Sequence, residues 1–178
     1  MGLEIERRFL VSGQQWRRHV LWKARLQQGY LAAGADGFTL RVRSSEEQAW
    51  LTIKAATATA PGLPDGLVRH EFEYAIPMVD AEALLDLAPS QISKWRHGLE
   101  LPGGDWVLDV FEGPNAPLVV AEVELVAADQ PLTVPSWCVL ELTGRHELSN
   151  AALANRPLAA WEAGDRHDLL QWCVAAGP

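Results

Sequence analysis

Charged side chains at every second position of strand-like segments constrain the fold of this chain more than any other feature. Glu4, Glu6 and Arg8 have this spacing, and so do Arg41 and Arg43. Side chains two positions apart on a strand lie on the same face of a sheet. The spacing therefore predicts strands with one charged face and one mostly apolar face.

Strand-like segments recur along most of the sequence, with turn residues between them. Eight strands are predicted, over residues 4–11, 38–43, 50–54, 68–74, 91–97, 106–111, 118–126 and 137–143. Turns are predicted at 44–48, 103–104 and 113–115, and a low-complexity loop at 55–67. Helices are predicted over 14–23, over 81–87 with Asp80 as the cap, and over 149–154 and 167–174.

These segments predict an α+β protein dominated by antiparallel strands. The chain has 178 residues, which suits a single domain over residues 1–178. Exposed edge strands promote aggregation, and closing the sheet on itself removes them. We therefore expect a closed eight-stranded antiparallel β-barrel with flanking helices.

Pairs of like charge recur on the predicted strands. Glu71 with Glu73, like Lys94 with Arg96, places two charges of one sign on one face. A solvated outer face explains any single pair, but like charges on one face repel each other unless an opposite charge lies between them. Arginine and lysine bind phosphate oxygens, and clustered carboxylates bind Mg²⁺ or Mn²⁺. The pattern predicts a barrel lumen that binds a metal-bound polyphosphate.

Composition excludes several other functions. The net charge of −8 argues against nucleic-acid and anionic membrane partners, which select for an excess of lysine and arginine. Two cysteines in no metal-binding spacing predict reduced thiols and a cytoplasmic protein. The sequence has no stretch of 18 apolar residues, no apolar leader and no GxxxxGK[ST] phosphate loop. Its five histidines are scattered, so a zinc site is not expected.

An ordered series of short motifs resembles the CYTH, or triphosphate tunnel metalloenzyme, superfamily. The opening Glu4-x-Glu6-x-Arg8 resembles the ExExK signature of that superfamily. The resemblance spans about residues 3 to 155. It continues through Gln28-Gly29-Tyr30-Leu31, Arg41-x-Arg43, Thr52-Ile53-Lys54, Glu71-x-Glu73, Lys94-x-Arg96, Asp109-Val110-Phe111-Glu112-Gly113, Ala121-Glu122-Val123-Glu124-Leu125, Glu141-Leu142-Thr143-Gly144 and Ser149-Asn150.

The resemblance implies an eight-stranded tunnel that binds triphosphate through basic side chains and a divalent metal, Mg²⁺ or Mn²⁺, through acidic ones. It implies a phosphate clamp formed by Arg41, Arg43, Lys54, Lys94 and Arg96, with Arg8 and the tunnel tyrosine Tyr30 beside it. It implies metal ligands at Glu4, Glu6, Glu122 and Glu124, with Glu71, Glu73 and Asp109 as further ligands or water-orienting groups. The catalytic set is then Glu4, Glu6, Arg8 and Lys94.

The expected reaction is hydrolysis of inorganic tripolyphosphate to pyrophosphate and phosphate. The chain departs from the signature at Arg8, which stands where the family has lysine; arginine keeps the charge but is bulkier. The alternatives are a class IV adenylyl cyclase, a thiamine triphosphatase, a non-catalytic binder of polyphosphate or nucleotides, and a purely structural barrel. An organic substrate needs an aromatic or apolar platform, for which Trp50 and Trp95 are candidates. Members of the superfamily can form dimers, so a homodimer is possible.

Overall fold

Nine antiparallel strands and three α-helices form the part of the protein that its computed structural model describes, residues 2–34, 37–57 and 67–175. The strands are β1 (Leu3–Val11), β2 (Val20–Ala33), β3 (Thr39–Ser44), β4 (Ala49–Ala56), β5 (Val68–Ile76), β6 (Ser90–Leu99), β7 (Asp105–Phe111), β8 (Val119–Glu124) and β9 (Cys138–Glu141). The α-helices are α1 (Met78–Leu87), α2 (Asn150–Asn155) and α3 (Ala163–Ala175). Short 3₁₀ turns lie at Gln15–His19, Gly113–Asn115, His146–Leu148 and Leu158–Ala160. No helix in the described ranges is long and apolar enough to span a membrane.

Strands β1 to β8 close into a barrel, as the sequence predicts. The strand order is β5-β4-β3-β2-β6-β7-β8-β1, and β5 also pairs with β1 to complete the ring. Only the first half of β1 pairs with β5, with Leu3 opposite His70 and Ile5 opposite Val68. The second half of the same edge pairs with β9, which places Phe9 opposite Glu141. Strand β1 therefore lies at a seam where the barrel begins to open.

Apolar clusters cover two regions of the outer barrel surface. Helix α1 places Ala81 and Leu85 against Val42 of β3. Elsewhere Trp16, Trp106 and Trp137 pack with side chains of β1, β7 and β8. Because successive side chains of a strand point to opposite faces, this outer packing leaves the charged positions facing the lumen.

A third apolar cluster lies on the lumen face itself. Leu10 and Ile92 occupy the same strand faces as the charged side chains, yet they pack with Leu148, Leu153 and Leu158 from the C-terminal segment. All five side chains are buried. The C-terminal segment therefore fills part of the lumen with an apolar core, and the charged side chains line the remainder.

Three of the predicted elements are corrected by the structure. The helix predicted over 14–23 is a 3₁₀ turn at Gln15–His19, followed by the long strand β2. The predicted strand over 137–143 is β9, which lies outside the closed ring whereas β2 belongs to it. Helix α1 begins at Met78 with Pro77 as its N-cap, so Asp80 lies in its first turn and does not cap it. The loop predicted at 55–67 includes residues 58–66, which lie outside the described ranges.

Candidate active site

A cavity of about 870 Å³ occupies the charged part of the lumen. Its walls come from the barrel strands and from the C-terminal residues 142–155. Most of the side chains predicted as site residues line it, namely Glu4, Glu6, Arg8, Tyr30, Arg41, Arg43, Lys54, Glu71, Arg96 and Glu122. The others are Glu73, Lys94, Asp109 and Glu124, which do not line the cavity and contact or adjoin residues that do.

The acidic wall comes from β1 and β8, which lie side by side. Register places Glu6 opposite Glu124 and Arg8 opposite Glu122. Burial, with repulsion from Glu122 and Glu4, raises the pKa of Glu6 to about 7. Glu124 lies at the exposed end of β8, where partial burial of its carboxyl group, with repulsion from Glu4 and Glu71, raises its pKa. Burial and the crowding of like charges therefore make the ionised forms of Glu6 and Glu124 less favourable.

The basic wall comes from β3 and β4 and is held by β5. Register aligns Arg41, Thr52 and Glu73 across the three strands. Arg41 donates to the Thr52 hydroxyl at 3.0 Å, and that hydroxyl donates to Glu73 at 2.7 Å. Arg43 donates to both Glu73 oxygens at 2.9 Å. Glu73 thus holds both arginine side chains in place.

The guanidinium of Arg8 joins the acidic wall to the C-terminal segment. Its Nε donates to Glu122 at 3.1 Å, and its Nη1 donates to the Leu148 carbonyl at 3.1 Å. Its Nη2 is buried and makes no hydrogen bond, and the same holds for Nε of Arg41 and Nε of Arg43. A buried donor without an acceptor is costly, so these three N–H groups are suited to an anion that enters the cavity.

Lys94, Arg96 and Asp109 form a buried ion cluster next to the cavity. Lys94 donates to Asp109 at 2.5 Å and to Asn150 at 3.1 Å, while Arg96 donates to Asp109 at 2.8 Å and 2.7 Å. Burial lowers the pKa of Lys94 to about 8, although Asp109 opposes the shift. Burial alone would raise the pKa of Asp109, but Arg96 and Lys94 hold it below its usual value. Both oxygens of Asp109 are therefore engaged by cations.

Arg96 also links this cluster to the acidic wall. It donates to Glu122 at 2.6 Å, and its side chain lines the cavity. Burial would raise the pKa of Glu122, but Arg96, Lys94 and Arg8 hold it well below its usual value. Glu122 is therefore an ionised carboxylate shared between two arginines.

Tyr30 lies on the lumen face of β2, between the basic wall and the apolar core. It is buried, its hydroxyl accepts from Gln28 at 3.1 Å, and burial raises its pKa. Among the described residues that line the cavity, it is the only phenylalanine, tyrosine or tryptophan. Trp50 lies under the Arg43 guanidinium and Trp95 under the Lys23 ammonium, and neither lines the cavity.

Several cavity residues were not predicted from the sequence. Arg69 of β5 donates to Glu4 at 3.1 Å and to Glu6 at 3.4 Å. It shares a strand face with Glu71, so the two-residue spacing that identified the glutamates also contains the signal for Arg69. Arg145 and His146 line the cavity from the C-terminal segment, a placement that no local pattern in the sequence indicates.

The acidic wall fits a divalent cation by its chemistry, although cations of the protein already contact it. No three histidine, cysteine, aspartate or glutamate side chains in the described ranges converge as a ready-made metal site. Glu4 accepts hydrogen bonds from Lys54 and Arg69, and Glu122 accepts from Arg8 and Arg96. Carboxylate oxygens are the ligands that Mg²⁺ and Mn²⁺ prefer. A metal ion would therefore have to compete with basic side chains for these carboxylates.

Comparison with known proteins agrees with this geometry. The chain is 33% identical over 162 residues to the inorganic triphosphatase of Acetivibrio thermocellus, covering 88% of this chain and 96% of that protein. It is 34% identical over 155 residues to the inorganic triphosphatase of Nitrosomonas europaea, covering 85% and 96%. A crystal structure described as the inorganic triphosphatase NE1496 superimposes with a TM-score of 0.60 at 31% identity, covering 85% of this chain and 93% of that one. The model of the CYTH domain family matches residues 2–150, and the chain belongs to this family.

Proposed function

We propose that this protein is a metal-dependent inorganic triphosphatase that hydrolyses tripolyphosphate to pyrophosphate and phosphate. The observation that carries the proposal is the set of buried, unpartnered N–H groups on Arg8, Arg41 and Arg43, three cations that line one cavity. The cavity volume of about 870 Å³ leaves room for a triphosphate and its metal ions. Two relatives that cover most of this chain are named inorganic triphosphatase.

The basic residues bind the substrate. Arg41 and Arg43 line the cavity, each has a buried Nε–H without a hydrogen-bond partner, and both are held in place by Glu73. Arg8 on β1 has a free Nη2, and its Nε donates to Glu122. Guanidinium groups bind phosphate oxygens through paired donors and stay protonated, so they stabilise charge that develops on a leaving pyrophosphate.

The acidic wall holds the metal, Mg²⁺ or Mn²⁺. Glu4, Glu6 and Glu122 line the cavity and are its proposed ligands, with Glu71 and Glu124 close to them. When bound, the ion polarises phosphoryl oxygens and lowers the pKa of a water molecule. Glu73 and Asp109 are assigned to holding cations in place, because arginine or lysine engages the oxygens of both.

Hydrolysis needs the attacking water oxygen in line with the bond that breaks. Water oxygen bonds to the terminal phosphorus and gives up its proton to solvent, the bond to the bridging oxygen breaks, and pyrophosphate leaves with the bond electrons. Lys54 and Arg96 line the same cavity as the arginines and hold the remaining phosphate charge. The apolar core around Leu153 and Leu158 closes part of the lumen and limits access of bulk water.

The lining of the cavity favours an inorganic substrate over an organic one. A nucleobase or thiazolium ring needs a stacking surface, and neither Trp50 nor Trp95 lines the cavity. Tyr30 is buried between Gln28 and the apolar core, so its ring has little surface free for stacking. Adenylyl cyclase and thiamine triphosphatase activities are therefore the less supported alternatives.

A phosphate-release assay tests the proposal. Tripolyphosphate, ATP and thiamine triphosphate are each supplied with Mg²⁺, Mn²⁺ or EDTA. We expect metal-dependent release that is fastest with tripolyphosphate and absent in EDTA. Tight triphosphate binding without release from any substrate would indicate a binding protein, and cyclic AMP formed from ATP would indicate a cyclase.

A further inference from the structure

Arg69 contacts the two carboxylates that open the family signature. Its Nη2 donates to Glu4 Oε2 at 3.1 Å and to Glu6 Oε1 at 3.4 Å. The side chain lines the cavity and is about one quarter exposed. It is therefore within reach both of the proposed metal ligands and of a bound triphosphate.

The barrel topology fixes this contact. Strands β1 and β5 pair over three positions only, and Arg69 is the direct register partner of Glu4. Beyond these positions the backbone N–H of Glu6 donates to the Leu67 carbonyl. Further along the same edge, β1 pairs with β9. The guanidinium of Arg69 thus crosses the seam of the barrel on its lumen side.

Lys54 also contacts Glu4, but it has a second partner. Its Nζ donates to the two Glu4 oxygens at 2.9 Å and 2.8 Å, and it lies 3.2 Å from Glu71. If Glu4 binds a metal ion instead, Lys54 keeps Glu71 as its carboxylate partner. The ion pairs of Arg69 are with Glu4 and Glu6 alone among the described residues, so it loses both when those carboxylates bind a metal.

We propose that Arg69 is an internal counter-cation, which occupies Glu4 and Glu6 in the metal-free enzyme, is displaced by the metal ion, and then binds the triphosphate. The proposal rests on the proposed function, since it takes Glu4 and Glu6 as metal ligands. A guanidinium and a divalent cation repel each other and compete for the same oxygen lone pairs. Metal binding therefore moves a positive charge from the acidic wall into the cavity, where the substrate carries its negative charge.

The competition predicts opposite effects of one substitution on the two ligands. Arg69→Gln removes the competitor, so Mn²⁺ binds more tightly to the protein without triphosphate. The expected decrease in the dissociation constant is about tenfold to a hundredfold, the range that corresponds to one or two charge-assisted hydrogen bonds. The same variant lacks the displaced guanidinium, so its KM for tripolyphosphate rises.

Isothermal titration of Mn²⁺ into wild-type protein, Arg69→Gln and Arg7→Gln at about pH 8.5 measures the first effect. Arg7 is the matched control, because it is on β1, is as exposed as Arg69 and donates to a carboxylate, Glu141, outside the cavity. Arg7→Gln should bind Mn²⁺ as the wild type does. General damage to the fold would weaken metal binding, so tighter binding separates displacement from a structural role. If Arg69→Gln does not fold, Arg69→Lys should show a smaller gain in Mn²⁺ affinity.

Mn²⁺ binding that is unchanged or weaker in a folded Arg69→Gln would overturn the counter-cation role. In that case loss of binding in Glu4→Gln would leave the metal site of the proposed function standing. Wild-type protein that binds no Mn²⁺ would overturn the metal site itself, and Arg69 would then have nothing to compete with. A KM for tripolyphosphate that does not change in Arg69→Gln would overturn the second half of the proposal.

Discussion

At the scale of single residues, the like-charge pairs are stabilised by opposite charges on other strands of the barrel. Arg41 and Arg43 repel each other across one face of β3, and Glu73, two strands away, binds both. Burial, with repulsion from Arg41, lowers the pKa of Arg43 to about 10. The ion pair with Glu73 therefore does not fully offset the burial of Arg43 and its repulsion by Arg41. A polyphosphate between the two walls would lower the remaining repulsion.

The raised pKa of Glu6 predicts how stability depends on pH. Glu6 titrates near 4.5 when unfolded and near 7 in the folded chain, so its stabilising contribution is complete below pH 4.5 and is lost as the pH rises through 7. Glu6→Gln stays neutral at every pH. Its free energy of unfolding should match that of the wild type at low pH and exceed it by about 3 kcal/mol above neutrality.

Urea denaturation in EDTA across this pH range checks the prediction. Glu141→Gln is the control, because its hydrogen bond from Arg7 lowers the pKa of Glu141, so the stabilisation from Glu141 is lost as the pH falls. If the free energies of unfolding of Glu6→Gln and wild-type protein differ by the same amount at every pH, the crowding of carboxylates at β1 is contradicted.

Which charged residues reach the lumen was predictable, but how they pair was not. Alternation along a strand fixes the face of Glu4, Arg41 or Glu122, because it depends only on local geometry. The engagement of Asp109 by both Lys94 and Arg96 depends on register between strands, which one strand's sequence does not contain. The metal-ligand role expected for Asp109 stays a prediction. It is less favourable because Lys94 and Arg96 already engage both oxygens of Asp109.

At the scale of elements, β2 shows where the two-residue pattern fails. Leu21, Trp22 and Lys23 are all exposed, so the first half of β2 has no buried face to produce an alternating pattern. Trp16 and Val20 then have the spacing of a helix, although they belong to a 3₁₀ turn and the strand after it. Pairing with β6 along almost the whole of β2 holds this segment extended, and that contact is not local in sequence.

One buried asparagine makes two of the hydrogen bonds that attach the C-terminal elements to the barrel. Asn115 Nδ2 donates to the Leu153 carbonyl at 3.2 Å, and its Oδ1 accepts from the Leu158 backbone N–H at 2.9 Å. Asn115→Ala should lower the free energy of unfolding by about 2–4 kcal/mol, because two buried backbone groups lose their partner. Urea denaturation measures the loss, with the exposed Gln14→Ala as a control that should stay near wild type. A loss as small as that of Gln14→Ala would show that the apolar core and the other contacts hold the C-terminal segment without Asn115.

At the scale of the whole molecule, metal binding should stabilise the fold. The proposed ligands come from β1 and β8, neighbours in the closed ring, so only folded chains bring them together. A ligand at a hundred times its dissociation constant adds about 2.7 kcal/mol, which for a chain of this size raises Tm by roughly 5–10 °C. Thermal melts with Mn²⁺ and with EDTA measure this difference.

Glu122→Gln is expected to lose most of the Mn²⁺-dependent rise in Tm, because it removes a lumen carboxylate. Glu141→Gln should keep the rise, since Glu141 is bound to Arg7 outside the cavity. An equal rise in wild-type protein and Glu122→Gln would place the metal elsewhere.

A cytoplasmic location and a homodimer stay predictions.

The seam at β1 makes the order of synthesis matter. On the ribosome β1 emerges well before its neighbours β8 and β9, which include Glu122 and Glu141. At 5–20 residues per second, the first strand waits on the order of ten seconds for these partners. A nascent chain that ends before β8 carries Glu4 and Glu6 without a closed lumen around them. Closure of the lumen therefore waits for a late step of translation.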